Sequence, residues 1–229
     1  IRLNPNYAEA HNNRGLTYHY LKEYEKAIAD YNEAIRLNPN YAEAHNSRGL
    51  SYYELKEYEK AIADYIESIR LNNPEPWVPY NNRGLSYYEL KEYEKAIADY
   101  NEAIRLNPNY AKAHNNRGNT YQNLKEYKKA IADYTEAIRF NPQDANAYFN
   151  RAASYSNLKE YEKAIADCNE VILLNPNNAN AYYGRGSSYE QLQDKDRAIE
   201  DFQQAANLHQ QQGNYKWYKN ALDRIKKLQ

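Results

Sequence analysis

From Ala8 to Leu21 the positions suited to an interior recur at spacings of three and four, through His11, Arg14, Gly15, Tyr18 and Leu21, a single stripe along a helix. From Tyr24 to Leu37 the period returns in Tyr24, Ala27, Ile28, Tyr31, Ala34, Ile35 and Leu37. Asn38-Pro39 closes this second helix, because the residue before proline avoids the helical region and proline cannot extend a helix from within. The two-helix pattern then begins again. LKEYEKAIADY is written at Leu21, Leu55, Leu90, Leu124 and Leu158 almost unchanged, with a worn copy at Leu192. An arginine precedes a small residue at Arg14, Arg48, Arg83, Arg117, Arg151 and Arg185, spaced 34, 35, 34, 34 and 34 residues apart. A fixed period of this size predicts an all-α solenoid of stacked antiparallel helix pairs with no single core.

The prolines divide the chain into six expected units, 5–38, 39–73, 74–107, 108–141, 142–175 and 176–209. Residues 210–229 follow, with Trp217, Tyr218, Ala221, Leu222, Ile225 and Leu228 on one stripe; a terminal repeat needs a lid with one polar face, and this segment is read as that capping helix. Residues 1–4 copy the end of a unit (Ile1-Arg2-Leu3-Asn4 against Ile35-Arg36-Leu37-Asn38) and are expected to be the remnant of a preceding repeat. With no methionine in the sequence, they suggest a piece of a longer array. One residue is inserted at Asn72-Asn73-Pro74-Glu75-Pro76-Trp77-Val78-Pro79, which predicts a first helix of the third unit starting late, near Pro79, and an exposed Trp77.

A helix–turn–helix of this length with Gly15, Tyr18, Ala27, Tyr31, Ala34 and Pro39 in these relative places resembles the tetratricopeptide repeat. The resemblance covers nearly the whole chain, six times over, and its wording is similar to that of bacterial arrays. It implies a right-handed superhelical solenoid. The chain departs from the family where the usual Trp is His or Tyr (His11, His45, Tyr80, His114, Tyr148, Tyr182) and where Arg replaces the Leu before the glycine.

That arginine has a counterpart sixteen residues on: Asp30, Asp64, Asp99, Asp133, Asp167 and Asp201. One reading is a ladder of partly buried ion pairs, each Arg meeting an Asp of its own or the preceding unit. The other is arginines that snorkel over the core to solvent.

Composition removes several function classes. Charged residues are 27% with a formal net charge of -1, which gives no polyanion-binding surface. The low mean hydropathy of -1.10 would suit disorder, but 27 tyrosines in a strict period argue for packing. No run spans a membrane and no leader pattern is present, so the cytoplasm is taken as the default compartment. The lone Cys168 stands where other copies have Tyr or Phe and reads as a small core residue rather than a redox centre. His11, His45 and His114 hold one place in different units, and helices pack roughly 8–10 Å apart, too far to share a metal ion. No phosphate loop, HExxH or CxxC is present, so no catalysis, cofactor or metal is expected.

What remains is the surface of the first helices, which in the resembled family lines a concave groove that receives peptides. In the first unit the matching positions are Glu9, Asn12, Asn13, Leu16, His19 and Tyr20. Down the array the groove candidates are Asn12, Asn13, Asn46, Asn81, Asn82, Asn115, Asn116, Asn119, Phe149, Asn150 and Tyr183, amides first and aromatics at one end. An amide donates and accepts, so such a column can grip a peptide backbone whatever its side chains, similar to asparagine ladders in tetratricopeptide superhelices. The aromatics would anchor apolar side chains. The alternative is solvated filler copied with the unit. Clamping of acidic chaperone tails is disfavoured, since only Lys112 is basic among these positions. The expected role is a protein-interaction scaffold with a peptide or protein partner. A structural spacer or end-to-end self-association is the competing reading, and RNA binding is remote because the groove lacks Lys and Arg.

Overall fold

The computed structural model describes residues 7–229, and the expected remnant at 1–4 lies outside the described residues. Among these the chain forms thirteen helices and no strand. They are α1 (Ala8–Tyr20), α2 (Tyr24–Leu37), α3 (Ala42–Glu54), α4 (Tyr58–Arg70), α5 (Trp77–Glu89), α6 (Tyr93–Leu106), α7 (Ala111–Asn123), α8 (Tyr127–Phe140), α9 (Ala145–Asn157), α10 (Tyr161–Leu174), α11 (Ala179–Gln191), α12 (Lys195–Gln211) and α13 (Tyr215–Leu228). The residues up to Thr120 make one compact unit and those from Tyr121 a second.

Within each unit the packing is that of paired helices. In the first, α1 pairs with α2, α3 with α4 and α5 with α6, while α2 packs on α3 and α4 on α5. In the second, α9 pairs with α10, α11 with α12, and α13 lies against α12. The turn inside each pair closes on a residue in the left-handed region, Lys22, Lys56, Lys91, Lys125, Lys159 or Gln193. There the chain reverses through a Schellman pattern, as where the Glu57 amide donates to the Tyr52 carbonyl at 2.9 Å.

The small residues fit large ones of the partner helix. A Cβ on Gly49 would lie 2.7 Å from Cε1 of Tyr65, and one on Gly84 the same distance from Tyr100, both rings being fully buried. In the fifth repeat both members change. Ala152 replaces the glycine and Cys168 the tyrosine, and they pack together with Ala164. Burial pushes the Cys168 thiol up to about 12, so it is held as the neutral thiol.

The hydroxyls of Tyr65 and Tyr100 are buried with no hydrogen-bond partner, whereas that of Tyr134 donates to Gln122 Oε1 at 2.7 Å. The sixth repeat has Phe202 at this place. An unsatisfied buried hydroxyl costs stability, so Tyr65→Phe and Tyr100→Phe should raise it by up to about 1 kcal/mol, while Tyr134→Phe should lose about 1 kcal/mol. Urea melts of the three variants decide this. A loss at Tyr65 or Tyr100 equal to that at Tyr134 would contradict it.

The arginine ladder is present inside the first, second, third, fifth and sixth repeats, the first through Arg14 and Asp30. Arg48 donates from Nε and Nη2 to both carboxylate oxygens of Asp64 at 2.8 and 2.6 Å, and Arg83 to Asp99, Arg151 to Asp167 and Arg185 to Asp201 do the same at 2.7–2.8 Å. These arginines are half-buried over buried aspartates, so the snorkelling alternative fails. The residue that replaces the family's Trp supports the pair. His45 Nδ1 lies 3.4 Å from Asp64 Oδ1, and the Tyr80, Tyr148 and Tyr182 rings lie under the guanidinium groups of Arg83, Arg151 and Arg185 at 5.3–5.6 Å. The Nη1 atom reaches into the preceding repeat: Arg48 to Asn32, Arg117 to Asn101, Arg151 to Thr135 and Arg185 to Asn169, at 2.6–3.0 Å. One side chain thus ties two helices of its own repeat and one of its neighbour.

At the third repeat α5 begins at Trp77, two residues before the expected Pro79, and Trp77 is half-buried rather than exposed. Asn72 adopts the left-handed region that asparagine tolerates, and the buried Asn73 donates to Ser68 Oγ at 2.9 Å while accepting from the Glu75 amide at 3.0 Å. These bonds absorb the extra residue in the turn. Pro79 falls in the first helical turn, where no amide donor is needed.

At the far end α13 closes the second unit. Ala221 and Ile225 are buried, and Trp217 stacks on His209 with centroids 6.1 Å apart. His209 is 1% exposed and both its ring nitrogens lack a partner. Burial lowers its pKa, and burial also lowers that of His19. With folded values below the unfolded value of about 6.5, this stability is present above that pH and is lost as pH falls through the folded values. The melting temperature is expected to drop between pH 7 and pH 5, and by less in a His209→Phe variant. An identical drop in that variant would remove His209 from the account.

Candidate functional site

In the first unit α1, α3 and α5 stand side by side, because each touches the next as well as its own partner. Their shared face carries the candidate amides. Asn82 Nδ2 donates to Asn46 Oδ1 at 3.1 Å, Asn116 Nδ2 to Asn81 Oδ1 at 2.9 Å, and Asn81 Nδ2 to Asn82 Oδ1 at 3.3 Å. Four sequence-predicted residues from three helices therefore form one row. Asn81 and Asn82 are buried, Asn46 and Asn116 half-buried, so the row presents the latter two to solvent. Asn12 and Asn13 are not drawn into it. Asn12 is buried and Asn13 exposed, and Oδ1 of Asn12, like that of Asn115, is buried without a partner. Asn119 is half-buried. Leu16, Leu50 and Leu85, one turn beyond the amides, add half-buried apolar surface.

In the second unit Phe149, Asn150 and Tyr183 are half-buried. Phe149 reaches towards Gly184 of α11. Tyr183 packs at 5.2 Å from both Phe202 and Trp217, so its ring is engaged by the last pair and α13.

A second row, of which the sequence pattern singles out only His19 and Tyr20 of the first repeat, runs beside the amides. At the C-terminal ends of the first helices, His19 pairs with Tyr24, Tyr53 with Tyr58 and Tyr88 with Tyr93, with centroids 5.3–5.8 Å apart and planes inclined at 56–62°. Neighbouring helices join here too. His19 Nδ1 is 2.9 Å from Ser51 Oγ, and the Tyr53 hydroxyl donates to Glu89 Oε1 at 3.5 Å. Burial, with the Glu89 charge adding to it, pushes the Tyr53 phenol up to about 12. The available signal was the column itself: the places of His19 and Tyr20 become Tyr53-Glu54 and Tyr88-Glu89.

Among the described residues no three His, Cys, Asp or Glu side chains gather in a metal-holding group, and no helix is long and apolar enough to cross a membrane. What the face offers is amide donors and acceptors, aromatic surface and carboxylates, a chemistry of binding.

Models of the tetratricopeptide repeat match residues 8–41, 42–73, 111–144, 145–178 and 179–211, and a TPR repeat model matches 84–125. A search of curated proteins gave no significant match. Among solved structures, YrrB, described as a TPR protein with an unusual peptide-binding site, is 21% identical with a TM-score of 0.69 over 84% of this chain and 97% of its own. PilF of Pseudomonas aeruginosa is 21% identical with a TM-score of 0.79 over 93% and 95%. The Cut9–Hcn1 hetero-tetramer of APC/C matches at 21% identity and a TM-score of 0.77, over 98% of this chain and 43% of the matched one.

Proposed function

The chain belongs to the tetratricopeptide-repeat family, and from that premise we propose that it is a protein-interaction scaffold whose first helices hold an extended peptide segment of a partner. The observation that carries this reading is the amide row Asn46–Asn82–Asn81–Asn116. Its members fix one another's orientation, so the outward amides meet a ligand with little ordering left to do. Asn46 and Asn116 retain donors and lone pairs for a peptide backbone. The leucines beside them supply the apolar part of the contact. The peptide-binding site described for YrrB, a protein of the same fold, lends support. On this reading the chain binds rather than catalyses.

The test is selection of displayed random peptides against the chain and against an Asn81→Ala/Asn82→Ala/Asn116→Ala variant, with circular dichroism on both. Binders are expected to weaken by about tenfold or more in a still-folded variant. Equal binding would take the function off this face, and a mass that grows with concentration would favour self-association.

A further inference from the structure

We propose that the peptide this face receives is basic, and that a lysine or arginine of the partner lies against Tyr53 and Tyr88, paired by Glu54 and Glu89. The proposal rests on the reading of the face as the peptide site and adds the partner's chemistry.

The chain already builds such a cation site within itself. Lys26, Lys60 and Lys95 each sit over a tyrosine ring (Tyr18, Tyr52, Tyr87) at 5.2–5.6 Å and pair with a glutamate three residues back (Glu23, Glu57, Glu92). The row on the first-helix face repeats tyrosine and glutamate together, and among the described residues no Lys or Arg lies over the Tyr53 ring. Neither Glu54 nor Glu89 is ion-paired with Lys or Arg among the described residues, although Glu33, Glu67 and Glu102 on the second helices each take an arginine. Both glutamates are exposed, Glu89 accepting only the Tyr53 hydroxyl and Glu54 lying against that of Tyr24, and Tyr53, Tyr58 and Tyr88 are half-buried beside them.

The charges around the row do not cancel it. Glu9 and Glu43 carry the same sign further up the face. Arg48 and Arg83 are spent on Asp64 and Asp99. Lys56 and Lys91 stand exposed in the left-handed turns just beyond and make no ion pair with either glutamate. Lys112 is the one basic residue at the matching positions of α7. A cation over tyrosine gains from the ring quadrupole, and more where water is partly excluded. Seven residues separate Asn46 from Tyr53 and Asn82 from Glu89, about 10 Å at 1.5 Å per helical residue. An extended peptide held at the amide row covers that distance in about three residues, so a cationic side chain two or three residues along reaches the tyrosines.

The experiment selects phage-displayed random dodecamers against the whole chain, then measures synthetic copies by fluorescence anisotropy. The measurements use wild type, Glu54→Gln/Glu89→Gln, and the triple asparagine variant, each at low and high salt. Both glutamates are exposed, so the glutamine variant should melt as the wild type does. Expected are enrichment of Lys or Arg, affinity about tenfold weaker in the glutamine variant, and weakening by salt. Binders without basic enrichment, or with unchanged affinity in the glutamine variant while the asparagine variant loses them, would overturn the basic partner and leave the peptide site standing. A selection without any binder sensitive to the asparagine variant would overturn both.

Discussion

Asp64→Asn is expected to lower the stability of the array by about 3 kcal/mol, towards the lower end of the cost of orphaning a buried charge, because Arg48 keeps some contact with water. The loss goes beyond one ion pair. Asp64 accepts two bonds from Arg48 and faces His45, and Arg48 also holds Asn32 of the preceding repeat. Removing the carboxylate charge leaves a guanidinium on the helix interface with only neutral amide partners. The comparison is Glu59→Gln on the exposed side of the same helix, which should change stability by less than about 0.5 kcal/mol. Replacing both partners, as Arg48→Met/Asp64→Leu, should recover most of the loss, since the cost lies in the unpaired charge. Urea unfolding of the four proteins gives the answer. Equal midpoints for Asp64→Asn and Glu59→Gln would mean that the pair contributes nothing.

Gly49→Ala is expected to destabilise, although alanine is the better helix former. Two effects oppose each other. Helix propensity favours alanine by about 1 kcal/mol, while overpacking a filled interior costs about 1–3 kcal/mol. The new Cβ would stand 2.7 Å from Cε1 and 3.0 Å from Cδ1 of a ring that is 0% exposed, so the ring cannot move aside and the steric cost prevails. The chain contains the compensated form, Ala152 with Cys168. In a double-mutant cycle Gly49→Ala and Tyr65→Cys should therefore couple favourably, the double variant being more stable than the sum of the singles by about 1 kcal/mol or more. Strict additivity would show that the two positions change independently.

How much of this could be read beforehand depends on distance along the chain. The helix pairs, the interior stripe and the sixteen-residue Arg–Asp spacing were legible because each lies within one repeat and recurs. The other hand of the arginine was not. Asn32 and Asn101 sit on the outer side of the second helix, where an asparagine looks like solvated filler, and only packing of the next repeat brings the guanidinium to them. The start of α5 was misplaced for a local reason: three prolines suggested delay, but Asn72 and Asn73 take up the extra residue before the first turn. On the candidate face the amide column was visible as a column, while the bonds that join Asn46 to Asn82 cross 36 residues and one insertion. The tyrosine–glutamate row was hidden because the first repeat has His19-Tyr20 in those places, which does not announce what the second and third repeats do with them.

The bond from each arginine to the repeat before it also bears on how such a chain can grow. Every repeat that obeys the pattern spends one donor backwards and offers one acceptor forwards, as Asn32, Asn101, Thr135 and Asn169 do. A duplicated or deleted copy leaves both new junctions satisfied, so copy number can drift at the level of the gene without a structural penalty at the seam. Between the second and third repeats this rule is suspended. Ile66 stands, 44% exposed, where the acceptor belongs, and one residue is added to the connection. A copy inserted there would meet a mismatched neighbour, so among the described boundaries between repeats this is where copies are exchanged least freely.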